Sequence, residues 1–233
     1  MTNNDLNRVF DRQAASYDAR WVRLAPITDA LYFLLDQAFS SVPLNARVLC
    51  VGVGTGAEVI RLASRFPGWQ FMAVEPSRQM FDMCRQRVED AGLSDRCLFH
   101  HGYVETLPTG EIYDAATSFL VSQFILNPTA RIGFFHQIKA LLVPGGMLAS
   151  TDLSADQNAL TYDTLLALWQ NVMSPTDAVP QGLARMKAAY ATDVGVLLPS
   201  EVAGMITAAG FDRVTQFFQA GLICGWIARK SAV

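Results

Sequence analysis

Cysteine is scarce in this chain. Four residues, Cys50, Cys84, Cys97 and Cys224, stand far apart and form no C-x-x-C pair, which excludes the usual zinc and redox-dithiol motifs. Cys50 and Cys224 lie in apolar runs and read as small core residues. Histidine is rarer still: His100, His101 and His136 show no metal-ligand spacing. Each reads as structural, and no metal is expected. Charged residues make up 17% of the chain, the net charge is −3, and no run of Lys and Arg occurs. The electrostatic footprint of a protein that grips a phosphate backbone is therefore missing, and no nucleic-acid partner is expected. No apolar stretch approaches the roughly 18 residues needed to span a bilayer. Residues Met1 to Gln13 are polar and of mixed charge, unlike a signal peptide. A cytoplasmic protein with no membrane contact is the expectation.

What the chain does have is apolar content, 51% over 233 residues. That suits one domain with a core large enough to need no staple. Residues 4–40 read as helical, clearest over Asp29 to Phe39, with Pro26 suited to a first turn. Short apolar runs then alternate with amphipathic segments. Strands are expected at Arg47–Val51, Gln70–Val74, Arg96–His101, Tyr113–Phe119 and Met147–Thr151. The intervening helices are Ala57–Phe66, a helix capped by Ser77 and running to about Ala91, and Thr129–Leu142, stopped by Pro144-Gly145-Gly146. Such alternation implies a mostly parallel sheet covered on both faces. Residues 152–199 break the rhythm with two helices, Leu160–Asn171 and Gln181–Tyr190, joined by Ser174-Pro175 and Val179-Pro180-Gln181-Gly182. A helix over Ser200–Ala209 follows, then strands Phe211–Gln219 and Leu222–Arg229, forming a hairpin around Ala220-Gly221.

The segment Val48-Leu49-Cys50-Val51-Gly52-Val53-Gly54-Thr55-Gly56-Ala57 carries the functional signal. A strand runs into three alternating glycines, and a helix follows. Glycine lets the backbone turn tightly against a ligand, and the helix aims its free N–H groups there. A carboxylate that accepts from ribose hydroxyls belongs about 20 residues further on, at the end of the second strand, where Glu75 stands. The pair specifies a nucleoside-bearing ligand. Gly52-x-Gly54-x-x-Ala57 also satisfies the looser dinucleotide fingerprint, so an NAD-linked oxidoreductase stays open. Against it stand the late position of the loop, the small remainder of chain for a catalytic domain, and the terminal hairpin.

Four motifs in order resemble class I S-adenosylmethionine (SAM) methyltransferases: V-L-C-V-G-V-G-T-G, A-V-E-P-S, H-G-Y-V-E-T-L-P (His101 to Pro108) and L-L-V-P-G-G-M-L. The leader Phe10 to Asp18 (FDRQAASYD) resembles the ubiquinone-biosynthesis-like branch, and the tail Phe217 to Lys230 resembles carboxy-SAM synthase. The resemblance implies an α/β, Rossmann-like class I methyltransferase fold with a mostly parallel seven-stranded sheet and a C-terminal antiparallel hairpin. One domain over 1–233 is expected: a helical leader (1–45), a SAM-binding core (46–151), a cap insertion (152–198), and a terminal helix with hairpin (199–233). Two positions depart from the family, Cys50 and Tyr103, where acidic residues are usual. They keep a catalytically lapsed SAM-binding partner protein open beside a carboxy-SAM synthase-like enzyme.

By the same resemblance Val51, Gly52, Gly54 and Gly56 line the methionine and ribose parts of SAM. Glu75, followed by Pro76, takes the ribose hydroxyls. Met80 packs on the adenine beside Gly102 and Tyr103, and the Val104 N–H reaches the adenine ring. Ser118, Phe119 and Gln123 stand at the mouth where the methyl group emerges, and Tyr17 closes over the cofactor. The implied reaction is in-line methyl transfer to a small organic acceptor, with no assigned catalytic base. Tyr162, Trp169 and Tyr190 of the cap line the acceptor side together with the N-terminal helices; the alternative for that segment is a subunit interface, and a homodimer is compatible with the sequence.

Overall fold

The structure, a computed structural model, describes residues 3–108, 110, 112–173 and 180–232. Two helices lead, α1 (Asn3–Trp21) and α2 (Ala25–Ala38), joined by a 3-10 turn at Val22–Leu24. Then follow β1 (Arg47–Val51), α3 (Ala57–Arg65), β2 (Gln70–Glu75), α4 (Arg78–Asp90), β3 (Cys97–His101), β4 (Tyr113–Phe119), α5 (Pro128–Ala140) and β5 (Leu142–Leu153). The chain goes on through α6 (Tyr162–Met173), α7 (Pro180–Thr192), α8 (Pro199–Ala208), β6 (Phe211–Ala220) and β7 (Ile223–Lys230). The seven strands form one sheet in the order β3-β2-β1-β4-β5-β7-β6. β1 to β5 are parallel neighbours, and β7 lies antiparallel to both β5 and β6. This is the mostly parallel sheet with a closing hairpin that the sequence pattern implies.

The period-2 geometry of a strand explains the uninterrupted apolar runs. Along β1, Val48 and Cys50 face one layer with Leu62, Trp69 and Ala115. Leu49 and Val51 face the other, with Ala116, Phe135 and Ile206. A third cluster joins the leader, the segment after β5 and the hairpin: Leu24 and Leu31 pack with Tyr162, Leu166 and Trp169, and with Phe218 and Leu222. Residues 152–173 therefore share their core with elements distant in sequence.

Three local expectations are corrected. α5 ends at Ala140, and Leu142 already pairs with Tyr113, so Pro144-Gly145-Gly146 lies inside β5 and does not stop the helix. The irregular register between Tyr113 and Ala115 absorbs these residues. Arg96 is not in β3: it sits in a 3-10 turn, and its guanidinium donates to the carbonyls of Ala63, Phe66, Pro67 and Trp69 at the end of α3. Leu160 is fully exposed and precedes α6. The expected connection at Ser174-Pro175 and the expected turn residue Val179 lie outside the described residues. Ser77 caps α4 as expected, its hydroxyl accepting from the Met80 N–H.

No helix among the described residues is long and apolar enough to cross a membrane.

Candidate functional site

The strand order turns about β1. From there the chain steps outward to β2 and β3, then returns to β4 and β5 on the other side. In open α/β sheets ligands bind beyond the carboxyl ends of the strands at that switch point. The glycine loop lies there, directly after β1. Gly52, Gly54 and Gly56 all have positive φ (72°, 54° and 84°), a conformation that costs side-chain-bearing residues about 1–2 kcal/mol. A Cβ at Gly52 would lie 2.5 Å from Val121, and one at Gly56 2.7 Å from the Cys84 Sγ. At Gly54 it would meet nothing within 4 Å. The outer two glycines thus permit close packing, while the middle one faces open space.

Glu75, buried at the end of β2, ties this loop in place. One carboxylate oxygen accepts from the Gly54 N–H at 2.9 Å and the other from the Ser77 N–H at 2.9 Å. Burial pushes its pKa up to about 7, against the opposing pull of those two N–H donors. Each oxygen keeps acceptor capacity for a further donor. Pro76, half-buried, carries the chain from Glu75 into the α4 cap.

α1 crosses this end of the sheet and is pinned at three points. Asn7 donates to the Tyr103 hydroxyl at 3.0 Å. Asp11 accepts from the Ser77 hydroxyl and the Gln79 N–H at 2.7 and 3.0 Å, at the positive end of α4. Asp18 accepts from the Thr55 hydroxyl at 2.6 Å and pairs with Arg87. Tyr17, next to Asp18, is half-buried and lies within the influence of Glu75; burial first, then the charges of Glu75 and Asp18, raise its pKa to about 12. It therefore stays protonated.

The other expected contacts come together around this loop. Met80 and Val104 are buried, and Val104 begins a 3-10 turn. The Gly102 N–H donates to the Glu75 carbonyl, and a Cβ at Gly102 would strike Thr106 and His100 at 2.7 and 2.8 Å. Val51 is buried at the strand end. Ser118 is fully buried, and its hydroxyl has no hydrogen-bond partner among the described residues. Phe119 meets Tyr32 of α2 edge-on at 6.3 Å. Gln123 is committed to the frame of the mouth: its side chain accepts from the Leu153 N–H at 2.6 Å and its backbone N–H donates to Asp152 at 2.8 Å.

Three features of this region were not read from the sequence. Asp152 and Arg131 form a fully buried ion pair at 3.1 Å. Ser122 donates to Asp152, and Arg131 reaches the Gly195 carbonyl. Asp152 lies within β5, paired with Cys224 of β7, and no local sequence pattern marks it. Glu58, in the first turn of α3, is buried against Thr117 and Cys50, although an acid there reads as a solvated helix start. Leu120 has φ 58°, and no sequence signal marks that strain. His136 lies apart from the glycine loop, against the Ala209 carbonyl; His100 contacts Thr106, and His101 is the β3 partner of Glu75 and lies beside the Phe81 ring. Among the described residues no group of three His, Cys, Asp or Glu converges as a metal site. A cleft of about 150 Å³ lined by Arg47, Gln70 and Asp95 opens at the opposite ends of the strands and is unrelated to this site.

A left-handed glycine loop with open space at Gly54, a carboxylate beside it and an orphaned hydroxyl at Ser118 together fit SAM, which presents vicinal hydroxyls and a polar amino-acid end. Residues 48–146 match the family described as "Methyltransferase domain". That segment, under half of the chain, is similar to a methyltransferase domain. Over 177 residues the chain is 30% identical to the malonyl-[acyl-carrier protein] O-methyltransferase of Xylella fastidiosa, covering 75% of this chain and 54% of that one. It is 28% identical over 131 residues to the biotin biosynthesis bifunctional protein BioHC of Teredinibacter turnerae, covering 54% of this chain and 22% of the other. The chain thus spans about half or less of these relatives' lengths. Human N-acetylserotonin methyltransferase in complex with SAM superposes with a TM-score of 0.60 at 17% identity, over 85% of this chain and 51% of that one. That last likeness is one of fold. The chain thus sets its glycine loop, Glu75 and Ser118 along the edge formed by β2, β1 and β4.

Proposed function

We propose that this protein transfers the methyl group of SAM to a small organic acceptor by in-line displacement. The observation that carries the reading is the Glu75 carboxylate, bonded to the Gly54 N–H at 2.9 Å and standing beside the open face of the loop. In this reading Gly52, Gly54 and Gly56 approach the ligand through backbone, and Glu75 accepts from its ribose hydroxyls. Met80 and the Val104 N–H meet the adenine, with Tyr103 packing at its edge. Ser118 and Phe119 border the transferring methyl, while Gln123 shapes the mouth through its bonds to β5. Tyr17 and the rest of α1 cover the site and exclude water.

The sulfonium of SAM supplies an already activated methyl group, so the chain's task is positioning, which contributes up to about 7–11 kcal/mol when two reactants are well oriented. No catalytic base is assigned. Asp152, near the mouth, is held by Arg131, Ser122 and the Gln123 N–H, an arrangement suited to support more than to proton removal.

Single-domain organisation over 1–233 belongs to the same proposal, with 1–45 as leader, 152–198 as cap over the acceptor and 199–233 as the closing helix and hairpin. The apolar surroundings of Tyr162 and Trp169 support a small organic acceptor. The Xylella relative's O-methyltransferase name makes an oxygen the first acceptor atom to test. The net charge of −3 without a basic run supports a role without nucleic acid. A cytoplasmic location and a homodimer complete the proposal.

The test is calorimetric titration with SAM, S-adenosylhomocysteine and NADH in parallel, followed by an acceptor screen. Micromolar binding of the two adenosyl compounds with none for NADH is the expected result. Binding of NADH alone overturns the reading.

A further inference from the structure

Around the glycine loop, charge is compensated almost everywhere. Glu75 takes two backbone N–H groups, Asp18 pairs with Arg87, and Asp152 pairs with Arg131. Glu58 is the exception. Its residue is 7% exposed, and its carboxyl lies between α3 and the sheet, receiving the Thr117 hydroxyl beside the Cys50 thiol. Cys50 and Thr117 are register partners on β1 and β4, the two strands that flank the switch point. The titratable groups facing Glu58 are Cys50 from β1, Tyr32 from α2 and Cys84 from α4. None of these carries positive charge. Arg61, one turn further along α3, is turned away to Asp36 and the Tyr32 ring. Among the described residues no Lys, Arg or His pairs with Glu58.

A buried carboxylate without a cation is costly to keep, and burial here pushes the Glu58 pKa up to about 7. The direction of the ligand suggests what completes the pair. Glu75 stands at the end of β2, on one side of the glycine loop, and fixes the ribose end there in the reading above. In that reading the opposite end of an extended adenosyl ligand lies across β1 toward β4, where Thr117, the hydrogen-bond partner of Glu58, stands on the same face of the sheet as Cys50. In SAM that end carries an α-ammonium group.

We infer that Glu58 is the counter-ion of the ligand's α-ammonium group, supplying from the first turn of α3 a carboxylate that the strand position Cys50 lacks. The inference rests on the SAM reading and adds to it a binding residue on a different element. Neutral Cys50 leaves the space and apolar contact that Glu58 needs in order to reach the ends of β1 and β4.

The experiment compares two ligands that share the adenosyl-thioether part and differ in the amino-acid end: S-adenosylhomocysteine, with the ammonium, and 5′-methylthioadenosine, without it. Calorimetry on Glu58→Gln, which keeps size and hydrogen bonding, is expected to show S-adenosylhomocysteine weakened about ten- to a hundred-fold, the range for a hydrogen bond to a charged group, with methylthioadenosine unchanged. Equal losses for both ligands overturn the inference, since they mark a structural role. The unmodified protein supplies a second readout that needs no variant. Titrations near pH 6.5 in buffers of different ionisation enthalpy are expected to show more proton release with S-adenosylhomocysteine than with methylthioadenosine, as the ammonium drives the proton off Glu58. Equal release overturns the inference. An unmodified protein that binds neither compound overturns the SAM reading itself. One that binds S-adenosylhomocysteine as tightly as its Glu58→Gln variant overturns only the role of Glu58.

Discussion

The two halves of the sheet build their parts of the site by different means. On the β3-β2-β1 side, groups close in sequence meet through backbone: three left-handed glycines, and the Gly54 and Ser77 N–H donors on Glu75. On the β4-β5 side the mouth is framed by side chains brought from far apart. Asp152 is reached by Ser122, Gln123 and Arg131, and Arg131 in turn anchors Gly195. Backbone recognition demands particular residue types at fixed spacing and so leaves a motif. A buried ion pair demands only that two opposite charges coincide in space, and it leaves none.

The sharpest way to break the comparison is Arg131→Ala. It leaves Asp152 buried without its partner, and a loss of about 3–5 kcal/mol is expected, measured by denaturant unfolding. A loss below about 1 kcal/mol would show that the Ser122 and Gln123 donors suffice. Next comes pH. Glu58 and Glu75 are both raised by burial to about 7 from an ordinary value of 4.5. Each therefore contributes stability while protonated, fully present below about 4.5 and lost as pH rises through about 7. The ligand-free protein is expected to melt at progressively lower temperature from pH 5 to pH 8. Glu58→Gln should flatten that fall by up to roughly 3 kcal/mol at pH 8, and a variant whose Tm tracks the unmodified protein across the range contradicts it.

Glu75→Ala sharpens the other side. It removes the acceptor for Gly54, and a loss of roughly 1.5–3 kcal/mol in S-adenosylhomocysteine binding is expected, with the fold checked by circular dichroism. Unchanged affinity would take Glu75 out of the site. The smallest effect separates useful strain from incidental strain. Leu120 (φ 58°), at the mouth, and Arg213 (φ 53°), exposed on β6, are the two non-glycine residues with positive φ among those described. Arg213→Gly is expected to gain up to about 1 kcal/mol with turnover unchanged. Leu120→Gly should lower turnover, because Leu120 packs with the cap cluster. Equal behaviour of the two variants would remove any special role from Leu120.

Much of the fold was legible. Four-residue apolar runs bounded by turn residues located the parallel strands, and Ser77 marked the α4 cap. The boundary at Leu142 was not, since Pro144-Gly145-Gly146 reads locally as a stop and only the pairing of Leu142 with Tyr113 keeps it within β5. In the candidate site, the glycine loop and the carboxylate that meets it were legible by spacing. Glu58 was hidden, because a glutamate in a first helical turn normally faces water, and only the packing of α3 on β1 and β4 turns it inward. Tyr103 was read against the adenine, and its hydroxyl meets Asn7 of α1, a contact across 96 positions that no local pattern encodes.

What this sequence determined by itself is whatever a short stretch of chain must satisfy on its own: strand and helix order, the left-handed turn after β1, and the carboxylate at the end of β2. Tertiary structure alone decided which charges are buried together and which are left alone. Glu58, without a cation among the described residues, and Asp152, with Arg131, are both acids in an apolar interior. Burial raises the pKa of both, and what separates them is the Arg131 guanidinium beside Asp152, a difference set by three-dimensional surroundings and not by neighbours in the chain.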